Sequence, residues 1–266
     1  MRWLERECQN IELRKERRKE RKACRRYFVL GFLVAILIFA IAGVWYVTMG
    51  EIRTSVIRVE GTIVAGDGHG GGYVGSEYVG RQIRSAADDP LVRAIVLRVN
   101  SAGGSPAAAQ EIITDIEYAK EKKPVFVSMG DIATSAAYHI SAHADRIYAN
   151  PDTMTGSIGT IWLVYDYSRA LDEEGIEVEV VKSGDLKDIA SSYRTLTDEE
   201  REYLQAIVDE SSELFIEDIV AERGIDRSLI DDARPLRGEE ALRIGLVDEI
   251  GNLFETVSAA GSFAPS

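Results

Sequence analysis

A serine near the middle of the chain follows a strand-like run and opens an alanine-rich helical stretch. The β-rich residues 125–129 end at Gly130, and Ser135 then precedes Ala136. The first backbone N–H groups of a helix have no intrahelical acceptor, so they can stabilise the oxyanion formed when a serine attacks a carbonyl. An ordinary capping serine also occupies such a position. The segment therefore indicates either a helix cap or a nucleophile for acyl transfer.

A second turn, at residues 100–106, ends the strand-like run 94–99 and precedes another helical stretch. Its consecutive glycines, Gly103 and Gly104, allow a backbone N–H to approach a ligand closely. The carboxyl ends of parallel strands meet at one edge of a sheet, so this turn and the Ser135 turn should be neighbours. Together they would form an oxyanion hole, although a simple turn uses the same residue types.

A nucleophilic serine needs a base, and lysine is the better candidate in this sequence. Lys187 lies in a loop beyond the β-like run 176–181, with Lys182 close by. A lysine that loses the hydration of its ammonium can take the serine proton, whereas the ordinary role of a lysine is a solvated surface charge. His139 is the alternative base, but a residue one turn after the serine rarely reaches back to its oxygen.

The elements that must position these residues alternate between β-branched runs and helical stretches. Strands are predicted at 56–64, 94–99, 125–129, 146–149, 161–165 and 176–181, and helices at 76–87, 106–120, from 135, 198–223 and 238–244. Repeated βα units indicate an α/β fold. The glycine-rich run 66–75 fits no phosphate-binding spacing and is predicted to be a flexible loop. Its His69 has no metal-type ligand nearby, so neither a metal site nor a cofactor is predicted.

An uncharged run at residues 27–50 divides the chain and is long enough for one membrane helix, which needs about 20 apolar residues. Residues 1–26 carry eleven Lys/Arg against five Glu, an excess that holds this end in the cytoplasm. We therefore expect a basic cytoplasmic tail at 1–26, a membrane anchor at 27–50 and an extracytoplasmic domain at 51–266. A cleaved signal peptide is the competing interpretation, since residues 40–42 resemble a cleavage site.

The predicted outer domain is strongly acidic. Residues 51–266 hold 20 Lys/Arg and 39 Asp/Glu, a net charge of −19, which argues against nucleic acid as a partner. The length of this region suits one domain with a single core. Both cysteines, Cys8 and Cys24, fall in the predicted tail, so the outer domain has no disulfide and no thiol nucleophile.

These segments, in this order, resemble the signal peptide peptidase A family, also called protease IV, over roughly residues 56–253. The resemblance is carried by the turn at 98–105, the nucleophile segment 129–139, the runs 144–151 and 155–159, the Lys-Ser-Gly-x-x-Lys-Asp element at 182–188, the helix start at 197–201 and the ending 245–251. The chain departs from the family where Ala136 and Ala137 replace glycines and where His139 replaces a tyrosine.

The resemblance implies a ClpP/crotonase-like superhelix of ββα units and a serine endopeptidase that degrades remnant signal peptides. It implies Ser135 as nucleophile and Lys187 as general base. The oxyanion donors would be the N–H groups of Gly104 and Ala136, with Gly103 as the other option. A homo-oligomer of eight subunits, with serine and lysine supplied by adjacent subunits, is also implied. A stomatin-associated membrane protease of the same fold, and a crotonase-like acyl-CoA enzyme or inactive scaffold, are the alternatives.

Overall fold

The computed structural model describes residues 25–45 and 53–263, and these two parts are considered separately. The first part is a single helix, α1 (Arg25–Trp45), in which an 18-residue stretch has a mean hydropathy of 2.8. It is long and apolar enough to cross a membrane, a property shared by membrane anchors and signal sequences. Most of the predicted tail, including both cysteines, and residues 46–50 of the predicted anchor lie outside the described residues.

The second part alternates strands and helices along the chain. The strands are β1 (Arg53–Glu60), β2 (Thr62–Val64), β3 (His69–Gly70), β4 (Tyr73–Gly75), β5 (Val92–Ser101), β6 (Val125–Thr134), β7 (Arg146–Ala149), β8 (Met154–Gly156), β9 (Pro235–Arg237) and β10 (Glu249–Ile250). The helices are α2 (Ser76–Asp88), α3 (Pro106–Lys120), α4 (Ala136–Ala142), α5 (Ser168–Glu173), α6 (Asp198–Arg223), α7 (Gly238–Arg243) and α8 (Leu253–Ser262), with short 3₁₀ turns at Asp185–Asp188 and Arg227–Leu229.

A mainly parallel sheet forms the centre of this part. Its strands lie in the order β1–β5–β6–β7–β10, and each neighbouring pair is parallel. The end of β6 also pairs in parallel with β8, which pairs antiparallel with β9. The predicted α/β class with a parallel sheet is therefore confirmed.

Both faces of the sheet are covered, because side chains alternate between the faces along each strand. On β5, Ile95 and Leu97 join the main core with residues of α2, α3, α4 and α6. Ala94 and Val96 of the same strand point to the opposite face and pack in a smaller core that includes Ala260 of α8. This explains why β5 has a nearly continuous apolar sequence.

The glycine-rich run 66–75, predicted to be a loop, contains two short strands of a small sheet ordered β2–β4–β3. A Cβ at Gly75 would lie 2.1 Å from the carbonyl oxygen of Gly66, so only glycine fits there. An isolated β-bridge joins Ile63 of β2 to Gly104. The small sheet therefore supports the second glycine turn.

Two predicted strands, at 161–165 and 176–181, are wrong. Both segments form irregular and largely exposed backbone. Their β-branched and aromatic residues favour strands, but no strand of the described part of the chain pairs with them. Ile176, Val178 and Val180 alternate with polar residues as in a half-buried strand, yet their exposed fractions are 51%, 46% and 40%.

The other predicted elements agree closely with the structure. The helices predicted at 106–120 and 198–223 match α3 and α6, and the strand predicted at 146–149 matches β7. The strand predicted at 56–64 is interrupted at Gly61, whose φ is +89°. The sequence does not predict β8, β9 and β10, because two or three residues carry too little periodicity to indicate a strand.

Candidate active site

Ser135 lies at the junction of β6 and α4. Its φ of 54° and ψ of −128° form a combination that residues other than glycine rarely adopt. The Ser135 N–H donates to the Gly156 carbonyl and the Ser135 carbonyl accepts from the His139 N–H, both at 2.9 Å. The serine is half-buried, and its hydroxyl has no hydrogen-bond partner within residues 53–263. Strained backbone of this kind is concentrated at functional sites.

The glycine turn after β5 packs directly against this serine. A Cβ at Gly103 would lie 2.9 Å from the Ser135 Cβ and 3.1 Å from the Ala136 nitrogen. The Thr134 hydroxyl donates to the Ala102 carbonyl at 3.1 Å, which ties the two turns together. The turns thus meet where the sequence predicts, at the carboxyl ends of neighbouring parallel strands.

The N–H groups beside Ser135 differ in their hydrogen bonds. The Gly103 N–H donates to the Ser101 hydroxyl at 3.1 Å, and the Gly103 carbonyl accepts from the Ile63 N–H at 2.9 Å. The Gly104 N–H has no partner in the described part of the chain. The Ala136 N–H, the first of α4, has none there either. Two backbone donors are therefore unused in the two turns that meet at the serine.

Asn100 holds the irregular step of β6 that precedes the serine. Its Oδ1 accepts from the N–H groups of Asp131 at 3.0 Å and Ile132 at 3.2 Å. The register of β5 against β6 shifts between Val99 and Ser101. The Asn100 side chain therefore supplies an acceptor where backbone carbonyls would accept in a regular β-ladder. Asn100 is not predicted as a site residue, because its role depends on the register of two strands.

Lys187 lies in the 3₁₀ turn Asp185–Asp188, and its side chain is exposed. Its ammonium makes no hydrogen bond or ion pair with a residue that the structure describes. The neighbouring Lys182 ammonium donates to the Asp185 carbonyl and to Asp188 Oδ1, both at 2.8 Å. No hydrogen bond joins Ser135 to Lys187 within the described part of a single chain.

His139, the alternative base, is engaged away from the serine hydroxyl. Its Nε2 lies 2.6 Å from Asp218 Oδ2 on α6, and its ring stacks on Phe215 with centroids 4.3 Å apart. The hydrogen bond between His139 and Ser135 is made by the His139 backbone N–H and not by its ring.

A charge network holds the loop that carries Lys187. The Asp188 carboxylate accepts from the Tyr193 hydroxyl at 2.8 Å and from two nitrogens of Arg194 at 2.8 and 3.0 Å. Arg194 also donates to both carboxylate oxygens of Glu200 in the first turn of α6, at 2.5 and 2.8 Å. The Arg194 guanidinium holds the pKa of Asp188 well below its usual range and lowers the pKa of Glu200 to about 2.

We expect this network to weaken in acid. A carboxylate with a lowered pKa stabilises the fold fully above its unfolded pKa of about 4, and this contribution is lost as the pH falls through the folded value. Arg194→Gln removes the cation that lowers both pKa values. The Tm difference between wild type and this variant should be largest near neutral pH and should shrink from about pH 4 downwards.

Calorimetry across this pH range measures the effect. The control is Arg234→Gln, which breaks an exposed pair with Asp232 and should change Tm little at any pH. A Tm difference for Arg194→Gln that stays constant between neutral and acid pH would contradict the assignment.

The segments around Ser135 and Lys187 fall within residues 117–263, which match the family profile of peptidase family S49. This match covers more than half of the chain. The chain belongs to peptidase family S49. The resemblance to the signal peptide peptidase A (protease IV) family is confirmed by this match and by relatives with those names.

Three relatives illustrate the similarities of this S49 chain. It is 34% identical to Protease 4 of Haemophilus influenzae over 78% of this chain and 34% of the relative. It is 30% identical to Capsid assembly protease C of Escherichia phage lambda over 70% of this chain and 43% of the relative. It is 26% identical to Serine protease SPPA, chloroplastic, of Arabidopsis thaliana over 80% of this chain and 32% of the relative. The chain thus spans less than half the length of each.

Proposed function

We propose that this S49 chain is a membrane-anchored serine endopeptidase, with Ser135 as nucleophile and Lys187 as general base. One observation carries the proposal. Ser135 has a strained backbone at the junction of a strand and a helix. The N–H groups of Ala136, the next residue, and of Gly104, which follows the glycine packed against the serine, lack partners within residues 53–263. Preorganised donors of this kind stabilise the oxyanion of acyl transfer.

In the proposed reaction, the neutral Lys187 amine takes the proton of the Ser135 hydroxyl while the serine oxygen attacks the peptide carbonyl carbon. The carbonyl oxygen becomes an oxyanion and accepts hydrogen bonds from the Gly104 and Ala136 N–H groups. The C–N bond then breaks, and the Lys187 ammonium gives its proton to the leaving amine. A water then loses a proton to Lys187 while its oxygen attacks the acyl carbon. The ester C–O bond breaks, and the Ser135 oxygen takes the proton back from the Lys187 ammonium, which regenerates both residues.

Gly104 is the better donor of the two adjacent glycines. The Gly103 N–H already donates to the Ser101 hydroxyl, whereas the bridge to Ile63 leaves the Gly104 N–H unused. In this proposal Gly103 is required because it has no Cβ, which would crowd the Ser135 side chain.

We further propose that the active form is a homo-oligomer, with eight subunits as the family resemblance implies. A lysine gives up its proton and acts as a base only when its ammonium loses its hydration. In the single chain, however, the Lys187 side chain is exposed. Large apolar side chains are exposed in the segments that precede its loop: Ile161, Trp162, Leu163, Tyr165, Tyr167, Ile176, Val178, Val180 and Val181. Exposed apolar patches mark association surfaces. A second copy seated there would bury Lys187 and bring it to the adjacent subunit's serine.

The proposed membrane arrangement follows the charge pattern. Residues 27–50 would span the bilayer, with the basic tail at 1–26 in the cytoplasm and an extracytoplasmic domain of ClpP/crotonase type at 51–266. The length and hydropathy of α1 and the excess of Lys/Arg before it support this orientation. We propose remnant signal peptides as substrates, because such peptides lie in the same bilayer as the anchor.

Covalent labelling tests the nucleophile. We expect a β-lactone probe with an apolar side chain to acylate the full-length protein in detergent at Ser135, as located by mass spectrometry of the labelled peptide. Ser135→Ala should remain unlabelled. Labelling at another residue, or none in the wild type, would contradict the proposal. It would favour a scaffold or an acyl-CoA enzyme that holds an acyl oxygen without a nucleophile.

Gly103→Ala should lower kcat by about 100-fold, because displacing reacting groups by about 1 Å has an effect of this size. The new methyl group would meet the Ser135 Cβ at 2.9 Å. Gly72→Ala is the matched control. Both glycines have a positive φ, +107° at Gly103 and +90° at Gly72, but a methyl group at residue 72 would have no neighbouring atom within 4 Å. Hydrolysis of a fluorogenic peptide measures the effect. Equal losses in both variants would show that backbone strain, and not crowding of the serine, is responsible.

A further inference from the structure

A cluster of histidine and carboxylate side chains lies between α4 and α6, and the proposed peptidase mechanism does not use it. His139 lies on α4, His143 caps the C-terminus of that helix one turn later, and both are buried. Their Nε2 atoms lie 2.6 and 2.9 Å from the same oxygen, Oδ2 of Asp218 on α6. Two imidazoles and one carboxylate thus converge on one point.

A second layer of carboxylates surrounds His143. Its Nδ1 lies 3.2 Å from Glu117 Oε1 on α3 and 3.9 Å from Glu222 Oε1 on α6. A carboxylate that accepts the Nδ1 proton leaves the lone pair of a neutral imidazole on Nε2. This carboxylate–histidine arrangement is the one that orients metal-binding histidines in proteins.

The charges of the cluster favour a cation. Asp218, Glu117 and Glu222 bring three carboxylates to two imidazoles. Among the described residues, Lys120 is the basic residue that pairs with one of these carboxylates. Its Nζ lies 3.2 Å from Glu117 Oε1. Asp218 and Glu222 remain about one third exposed, so the cluster is open to an ion from solvent.

We propose that His139, His143 and Asp218 bind one divalent transition-metal ion of the zinc type. The ligands would be the two Nε2 atoms and a carboxylate oxygen of Asp218, with water completing the coordination and Glu117 orienting His143. Histidines four residues apart on one helix face are a known zinc-binding spacing. The two Nε2–Oδ2 distances, 2.6 and 2.9 Å, need to widen by less than about 1 Å for an ion to sit at about 2.0–2.1 Å from each of these atoms.

Such an ion would fasten together the helices that position the candidate active site. α4 begins directly after Ser135, and the first turn of α6 is held through Glu200 and Arg194 to the Lys187 loop. α3, which supplies Glu117, follows the glycine turn. The proposed role of the ion is therefore structural. It is independent of the proposed peptidase function, because metal binding and Tm are measured without substrate.

Zinc titration of the full-length protein in detergent, after chelator treatment and dialysis, tests the proposal. We expect one Zn²⁺ per chain by calorimetry, a higher Tm with zinc, and visible absorption bands when Co²⁺ is bound instead. His143→Gln and Asp218→Asn should weaken binding by more than about 100-fold, and Glu117→Gln by about 10- to 100-fold. Glu117 is exposed, so its variant should fold even if a buried histidine variant does not.

Two control variants should bind zinc like the wild type. His69→Gln removes the histidine outside the cluster, and Glu217→Gln removes the exposed carboxylate adjacent to Asp218 on α6. Absence of Zn²⁺ and Co²⁺ binding to the wild type would overturn the proposal. So would zinc affinity that is unchanged in Glu117→Gln and Asp218→Asn, or that falls equally in Glu217→Gln, because binding would then be an effect of surface charge.

Discussion

Ser135→Ala should lower kcat for a fluorogenic signal-peptide substrate by about 10⁴-fold or more, with the fold unchanged. The serine hydroxyl has no hydrogen-bond partner within residues 53–263, so its removal leaves no buried group unsatisfied there. Alanine and serine tolerate the φ of 54° about equally, so the backbone should not relax. Hydrolysis by the full-length protein in detergent measures the loss, and Tm reports on the fold.

Ser141→Ala provides the matched control for this substitution. Ser141 lies on α4, the helix that begins directly after Ser135, and its hydroxyl donates to the Ala137 carbonyl at 2.6 Å. Its removal should change kcat by only a few-fold. If Ser135→Ala kept more than a few per cent of wild-type kcat, another nucleophile would have to carry the reaction.

Lys187→Ala should have the second largest effect, a loss in kcat of about 10³-fold or more, because the serine would lose its general base. Lys187→Arg separates this role from that of a positive charge. A guanidinium keeps the charge but is not deprotonated in proteins, so it cannot take the serine proton. We therefore expect Lys187→Arg to be as inactive as Lys187→Ala in the same hydrolysis assay.

Lys122→Ala is the control for the lysine variants, since Lys122 makes an exposed pair with Asp88 on the protein surface. It should retain wild-type kcat. Substantial activity in Lys187→Arg would mean that the side chain acts as a charge or a spacer. Full activity in Lys187→Ala would redirect the search for the base to His139.

The local parts of this structure could be predicted from the sequence because their signals lie within a few residues. Ser105 caps α3 and Pro106 begins it, so both the start of the helix and the preceding glycine turn are visible. Thr197 and Glu200 form the capping box that starts α6. The placement of Ser135 between a strand and a helix follows from equally local signals.

Features that depend on distant partners could not be predicted. The histidines at 139 and 143 have a metal-type spacing, but Asp218 comes from a helix 75 residues further on, so the sequence alone predicts no metal site. The role of Asn100 depends on a register shift between two strands. The predicted strands at 161–165 and 176–181 have β composition but no partner strand among the residues that the structure describes, a pattern consistent with the proposed contact between subunits.

Mixing two inactive variants tests the central claim, that Ser135 and Lys187 act as a dyad supplied by adjacent subunits. Full-length Ser135→Ala and Lys187→Ala would be dissociated, mixed and reassembled in detergent, and hydrolysis of the fluorogenic signal peptide measured against each variant reassembled alone. We expect each variant alone to be inactive and the mixture to recover a substantial fraction of wild-type activity, because mixed assemblies contain intact Ser135 beside intact Lys187. A mixture that forms mixed assemblies but remains inactive would contradict the shared dyad.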